Sequence, residues 1–504
     1  MKHFLIIICV FFNINIFAQK ERNMWYFGDS VGIDFNFVIP HLLIDGNLRS
    51  LEGCATISDS AGNLLFYTNG ITVWNKLHQV MPNGILINDP NYDYVKTITQ
   101  NSLIIPFPTH PSYYYLFTLS LDFSLPFYSG VVTLKYSLIN MNLDNGNGDI
   151  IFDKKNIQLS SNNLTEQLFG VKHGNGLDWW VLTHEFDSDV FNEYLITSYG
   201  IEGPFIQNIG SVHGGLQGVD DVGQMTINPQ GNKLCIVASN VVDLFDFDRC
   251  TGKLNNWKCL DSYNPYAVTL HYGCAFSPDG NILYVTFFDY NHQHSKIFQF
   301  NVASNDVLQS KFEIWSAPDT LNTFVAGQYQ LGPDDNIYIA TAYPDTSNIY
   351  DIINKSLGVI NNPDSLGFKC NLIPYSFNIE RKSISYSLPN FPNYNLMALV
   401  GSTCDTIRYI EPNEQTNIFI PTAFTPNNDG QNDILYVRGG LINMEIKIFN
   451  QLGLKVFETN EQSRGWNGIY KGEKQPTANY VYMFKGTTTQ GKEIIKNGVV
   501  SLIR

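Results

Sequence analysis

Two short stretches space oxygen-bearing side chains as a hard cation would want them. Asp144-Asn145-Gly146-Asn147-Gly148-Asp149 and Asp429-Gly430-Gln431-Asn432-Asp433 set carboxylates and amides at alternate positions around a glycine bend, the pattern of a Ca²⁺ loop. Asp144, Asp149, Asp429 and Asp433 are thus the candidate metal ligands, and Ca²⁺ is the cofactor they would take. Both stretches lack the distal bidentate glutamate of a complete loop. Asn, Asp and Gly also make bare turns, because they tolerate left-handed backbone and cap their own amides. The bare turn is the commoner outcome.

The densest polar and aromatic cluster is His173-Gly174-Asn175-Gly176-Leu177-Asp178-Trp179-Trp180-Val181-Leu182-Thr183-His184-Glu185. His173, His184 and Glu185 have the right types for acid, base or metal ligand, but a turn and a strand separate the two histidines. Packing of Trp179 and Trp180, with histidines serving loop carbonyls, is the simpler account. His78, His213 and His271 are scattered along the chain and would form a site only by converging on a common axis. Glu52 and Asp220-Asp221 are either acceptors for turn amides or, paired in a cleft, cation ligands. No Gly-x-Ser-x-Gly nucleophile elbow is present. No catalytic or cofactor-binding residue is assigned.

Of eight cysteines, Cys9 lies in an N-terminal apolar run and the others are Cys54, Cys235, Cys250, Cys259, Cys274, Cys370 and Cys404. Cys250 with Cys259, closing a short polar loop, is the first expected disulfide. Cys370 with Cys404 is the second. No Cys-x-x-Cys pair supports zinc.

The elements that must hold these residues are strands. Aromatic residues make up 14% of the chain, with 28 Tyr and 34 Phe, a composition that favours pleated sheet. From Asn23 to about Val400 short apolar runs alternate with turn residues, and helical period is nearly absent. Within them Asn228-Pro229-Gln230-Gly231-Asn232-Lys233-Leu234 is echoed by Ser277-Pro278-Asp279-Gly280-Asn281-Ile282-Leu283, by Gly332-Pro333-Asp334-Asp335-Asn336-Ile337-Tyr338 and, more loosely, by Asp59–Tyr67. Neighbouring copies stand roughly 50 residues apart, the length of one four-stranded blade. The expected fold is all-β: a β-propeller of about seven blades over residues 19–400, a polar linker over 401–416, and an Ig-like β-sandwich over 417–504. The repeat turns resemble those of several propeller families, seven-bladed lactonases among them, a likeness of fold that says little of activity.

The formal charge of −15 argues against nucleic acid, whose binding needs a basic face, and against an anionic membrane surface. Lys2 and His3 precede the apolar run Phe4–Phe12, and Phe17-Ala18-Gln19 follows; residues 1–18 read as a secretory signal peptide cleaved after Ala18. No segment has the length of a transmembrane helix.

The last stretch alternates as a half-buried strand, with Met444, Ile446 and Ile448 against Glu445 and Lys447. Asn450-Gln451-Leu452-Gly453 then reads as a hairpin turn. It carries Phe424-Thr425-Pro426-Asn427-Asn428-Asp429-Gly430-Gln431-Asn432-Asp433, then Lys447–Gly453, Gly465-Trp466-Asn467-Gly468 and a strand ending on Arg504. In these motifs it resembles the gliding-motility-associated C-terminal domain of Bacteroidota, the type B sorting domain of type IX secretion. The resemblance implies recognition by the type IX machinery, through a motif that includes Phe424, Thr425, Pro426, Asn427, Asp429, Gly430, Asn432, Asp433, Trp466 and Arg504. It also implies a route through the periplasm to the cell surface or the medium. The expected function is a non-enzymatic binding or adhesion protein with an unidentified extracellular ligand. The alternative is a secreted lactonase- or glycosidase-like hydrolase with its site at the propeller channel.

Overall fold

The computed structural model describes residues 19–86, 98–122, 131–214, 222–238, 240–263, 269–289, 294–316, 325–342, 355–379, 386–405, 418–427, 433–438, 441–462, 464–488 and 493–504. The chain divides into two compact units, Met1–Thr406 and Ile407–Arg504.

Among the described residues of the first unit seven antiparallel sheets follow one another along the chain. Blade 1 has three strands, Met24–Phe27, Val31–Asp34 and His41–Leu43. Blade 2 runs Ala55–Ser58, Leu64–Thr68, Thr72–Asn75 and Val80–Ile85, and blade 3 is built on Ser102–Pro106, Tyr113–Asp122 and Val131–Asn140. Blades 4 to 7 are four-stranded meanders opening with Leu164–Lys172, Met225–Ile227, Thr269–Phe276 and Val325–Leu331. First strands of consecutive blades pack together, and Trp25 of blade 1 meets Tyr338 of blade 7 edge-on at 5.5 Å, which closes the ring. This is a β-propeller. The apolar residues lie between facing blades, as with Phe191, Trp180 and Phe245 where blade 4 meets blade 5. A lone blade would leave both such faces wet, so each blade depends on its neighbours.

The repeated turn joins first to second strand in blades 2, 5, 6 and 7. Its opening polar side chain caps the loop: Asp59 Oδ1 accepts from the amides of Ala61 and Asn63, and Asn228 Oδ1 from those of Asn232 and Lys233. The residue at the bend has a left-handed backbone, with φ of 91° at Gly62, 75° at Gly231, 71° at Gly280 and 63° at Asp335. That explains the Gly of the motif.

Three buried glutamines lock blades that are not neighbours. Gln100, just before blade 3, donates to the carbonyl of Met225 in blade 5 and accepts from its amide, at 3.0 and 2.8 Å. Gln224, before blade 5, does the same to Tyr329 in blade 7, at 2.8 and 3.0 Å. Gln328 of blade 7 donates to the carbonyl of Thr99, before blade 3. The triangle is closed: the Gln100 and Gln224 amides each act as one residue of strand, while the Gln328 oxygen accepts from the Leu388 amide instead.

The second unit is a five-stranded sheet in the order Ala423–Phe424, Glu493–Leu502, Ala478–Thr488, Leu441–Phe449, Lys455–Thr459. Only the first pairing is parallel. Met444, Ile446 and Ile448 are buried and Glu445 is exposed, the alternation read from sequence. Asn450 Oδ1 caps the amides of Leu452 and Leu454 in the expected hairpin turn. The buried face packs on Ile418, Ile420, Leu435, Val437 and Trp466. That second layer is held by single bridges, Phe419 to Arg438 and Leu435 to Trp466, and a small sheet of Ile469–Tyr470 with Glu473–Lys474.

Candidate functional site

The propeller axis is occupied by the chain itself. The amide of Leu388 donates to Gln328 of blade 7 at 2.7 Å, and that of Asn390 to the Cys54 carbonyl at blade 2. The Asn390 side chain donates to the carbonyls of Ser102 in blade 3 and Leu168 in blade 4, at 3.1 and 2.8 Å. Asn393 reaches Pro229 of blade 5 at 2.8 Å. A run this short that bonds five blades must lie on the axis. Phe391 and Tyr394 are buried there. Where Arg22, Pro229, Phe391 and Asn393 leave space at one end, the cavity is about 60 Å³, far below the several hundred Å³ of an ordinary ligand pocket.

Polar groups gather at the end of the axis where the first strands begin. Thr99 Oγ1 donates to Glu166 Oε2 at 2.6 Å and lies 3.3 Å from Glu52 Oε2. The Tyr272 hydroxyl donates to the same Glu52 oxygen at 2.7 Å, and its ring leans on Tyr386 at 5.5 Å. Burial, reinforced by the Glu52 charge, pushes the Tyr272 phenol well up, so it stays a donor. Glu52 was legible as a candidate; Thr99, Glu166 and Tyr272 were not, since they come from blades 3, 4 and 6. Asp220 and Asp221 lie outside the described residues.

The histidines do not converge on this end. His173 lies 3.0 Å from the Cys250 carbonyl and accepts from Asn175. His78 contacts Tyr67 and Asp45 within blades 1 and 2, and His271 contacts the Thr286 carbonyl and Asp261. His184 stacks instead on His213 at 4.4 Å, and His213 meets Asp243 at 3.3 Å. Burial first, and His213 second, press the His184 imidazole well below its usual range. All three groups are inside the wall between blades 4 and 5, away from solvent.

Asp149 is an amide acceptor: Oδ1 takes the N–H groups of Asn83 and Ile150, and Oδ2 the Asn83 side chain. With those oxygens committed, Asp144–Asp149 forms a turn that ties blade 3 to the outer strand of blade 2. Asp433 is described, and Asp429 lies outside the described residues. Among the described residues no three His, Cys, Asp or Glu side chains converge as metal ligands.

Both expected disulfides are corrected. Cys250 is bonded to Cys404, with Cα atoms 5.3 Å apart, while Cys259 and Cys370 are free. Hairpin register forbids the first expectation. Phe247 faces Leu254 and Asp243 faces Cys259, so Cys259 stands about four residues, roughly 13 Å, along the strand from the turn bearing Cys250. A disulfide tolerates at most about 7 Å between Cα atoms. Cys370 is buried with Tyr284 and Tyr329 between blades 6 and 7. The bond also fastens residues 401–405, which read as the start of a linker, to the ring. Gly174 makes room: a Cβ there would stand 2.4 Å from Cys404 Sγ.

In the second unit the separate sequence motifs meet. Trp466, fully buried, packs on Phe424 at 5.4 Å and Tyr480 at 4.8 Å. Arg504 donates to the carbonyls of Gly468, Gln475 and Pro426 at 2.9, 3.0 and 3.3 Å. Residues 418–502 match the CHU_C Type IX secretion signal domain. The chain carries a type IX sorting domain. It therefore directs export by type IX secretion to the cell surface, through recognition by that machinery. Gly430 and Asn432 of its motif lie outside the described residues, whereas Thr425, Asn427 and Asp433 flank that gap in the described chain. No helix among the described residues is long and apolar enough to cross a membrane.

Three solved structures are similar to the chain. A "putative 6-phosphogluconolactonase" from Bacteroides uniformis is 12% identical, with 71% of this chain and 98% of that one covered and a TM-score of 0.42. The periplasmic gluconolactonase of Pseudomonas aeruginosa is 10% identical over 52% and 81%, with a TM-score of 0.30. The Dos1 propeller is 9% identical over 64% and 70%, with a TM-score of 0.33. No curated protein matches the chain.

Proposed function

We propose that the protein is a non-catalytic binding protein of the cell surface, delivered by its sorting domain. Residues 1–18 serve as the leader into the periplasm, the ring from residue 19 is the cargo, a linker ends near residue 416, and residues 417–504 are the signal. What supports the binding role is the filled axis. Ser387–Asn393 occupy the space where a propeller hydrolase would seat its substrate, so a ligand must be taken by blade edges and loops. The test uses the full chain purified from the medium or surface. It should adhere to envelope or matrix material while leaving lactones and chromogenic glycosides unhydrolysed; turnover of either, abolished by a ring substitution, rejects the reading.

A hydrolase is favoured by one observation, the Thr99 hydroxyl set between the carboxylates of Glu52 and Glu166. Two neighbouring carboxylates are the residue types that general acid–base hydrolysis uses. Hydrolysis lost in both Glu52→Gln and Glu166→Gln would establish it.

A further inference from the structure

The outer strand of blade 5, Leu254–Ser262, breaks its own alternation. Leu244 faces Lys258 and Asp246 faces Asn255, so Asn256 and Trp257 together oppose the single residue Phe245. This is a β-bulge, a device that re-aims a side chain. Asn256 takes the left-handed backbone that the bulge requires, φ 50°, a conformation asparagine tolerates better than most residues with a Cβ. The bulge turns Trp257 outward. Of the seven tryptophans, five are buried, and Trp257 is 43% exposed. Its indole has no ring or hydrogen-bond partner among the described residues.

The indole borders a cleft of about 430 Å³ lined by Lys233, Asp246, Asn256, Lys258 and, from blade 6, Val302. Asp246 is held in place by Lys233 and by the Asn256 amide, each at 2.8 Å. The cleft thus joins one flat apolar wall to a rim bearing both donors and acceptors, and its size falls in the range of small-ligand sites.

We propose that this cleft binds a neutral saccharide, one pyranose ring lying on the Trp257 indole with its hydroxyl groups shared among Asp246, Asn256, Lys233 and Lys258. A pyranose matches both halves of the site, having an apolar C–H face and a rim of hydroxyls that donate and accept. Other ligands match one half only. The two lysines repel a cation and Asp246 an anion; a wholly apolar ligand would strip water from four polar groups. A peptide adding to this edge would meet the bulge, which interrupts the ladder of free backbone groups. The inference names a ligand class for the binding role above and rests on it.

The experiment is affinity electrophoresis of the full chain through gels containing laminarin, soluble starch, yeast mannan or hydroxyethyl cellulose. At least one should retard the wild type. Trp257→Ala should weaken that retardation at least tenfold, and Asp246→Asn severalfold, while Trp257→Phe keeps part of it. Melting temperatures of the variants control for folding, and Asp246→Asn, which preserves shape, reads the site independently should Trp257→Ala melt early. Free migration of the wild type in all four gels overturns the saccharide site, as does equal retardation of wild type and both variants. If the protein then still adheres to envelope material, the binding role survives without this cleft; if adherence is lost as well, both fall.

Discussion

Gln100 meets Met225 with both ends of its amide, the nitrogen giving to the carbonyl and the oxygen taking the N–H. The two residues belong to blades with another between them, so the contact fixes the ring across its axis. Gln100→Leu keeps the bulk and removes both bonds to Met225 and the 3.3 Å bond to Asn390 Oδ1, leaving two buried backbone groups unpaired. The expected loss is about 2–4 kcal/mol, read as a lower midpoint in urea. An unchanged midpoint would mean that water replaces the amide.

The Cys250–Cys404 bond spans 154 residues. A closed loop of that length stabilises by roughly 3–5 kcal/mol, mainly through the unfolded chain. Peptide mapping of the exported protein should recover Cys250 joined to Cys404. Cys404→Ser should lower the melting temperature and leave residues 386–405 open to limited proteolysis; a Cys250–Cys259 peptide would contradict the pairing.

Trp466 and Arg504 test the sorting domain. Trp466→Ala empties the centre of its core, at a cost of about 3–5 kcal/mol, enough to unfold a small unit. Arg504→Ala releases three carbonyls at the surface and should cost about 1 kcal/mol. Export should therefore fail in the first variant and persist, reduced, in the second, measured as the fraction reaching the cell surface. Full export of Trp466→Ala would show that the machinery reads unfolded chain.

Burial pushes the Glu193 carboxyl up to about 8, against the pull of Lys253. A carboxyl raised above its unfolded value of 4.5 favours the folded state while protonated. Its contribution is whole below about pH 4.5 and is lost as pH rises through about 8. Glu193→Gln should thus melt above the wild type at pH 9 and level with it at pH 4.5. His271 works the other way. Burial lowers its pKa to about 4, against the attraction of Asp261, so its contribution, present above about 6.5, is lost on acidification toward 4. His271→Gln should flatten the acid side alone. Equal shifts at all pH values would assign either effect to packing.

Blade length was legible because a blade repeats: Asn228–Leu234 and Ser277–Leu283 carry the same turn, and the alternation of Met444 to Ile448 is local. The features that close the ring leave no local trace. Gln100 and Met225 stand 125 residues apart, and nothing near either says which carbonyl the amide will find. The same holds for Cys250 and Cys404, where a short loop looked attractive in sequence but strand register put Cys259 out of reach. Glu52 stood out as a lone acid, yet its partners Thr99 and Tyr272 become neighbours only once blades 3 and 6 are curved toward one centre. Nothing in the sequence marks Trp257, because a bulge is a property of the pair of strands and not of either one.

The segment that fills the axis comes after all seven blades in chain order. Until it emerges, the inner strands surround a void lined with carbonyls such as those of Ser102 and Leu168, and the half-built ring has no finished state to settle into. The finished ring therefore needs its hub and its Cys250–Cys404 bond, and both are encoded just ahead of the segment that licenses departure.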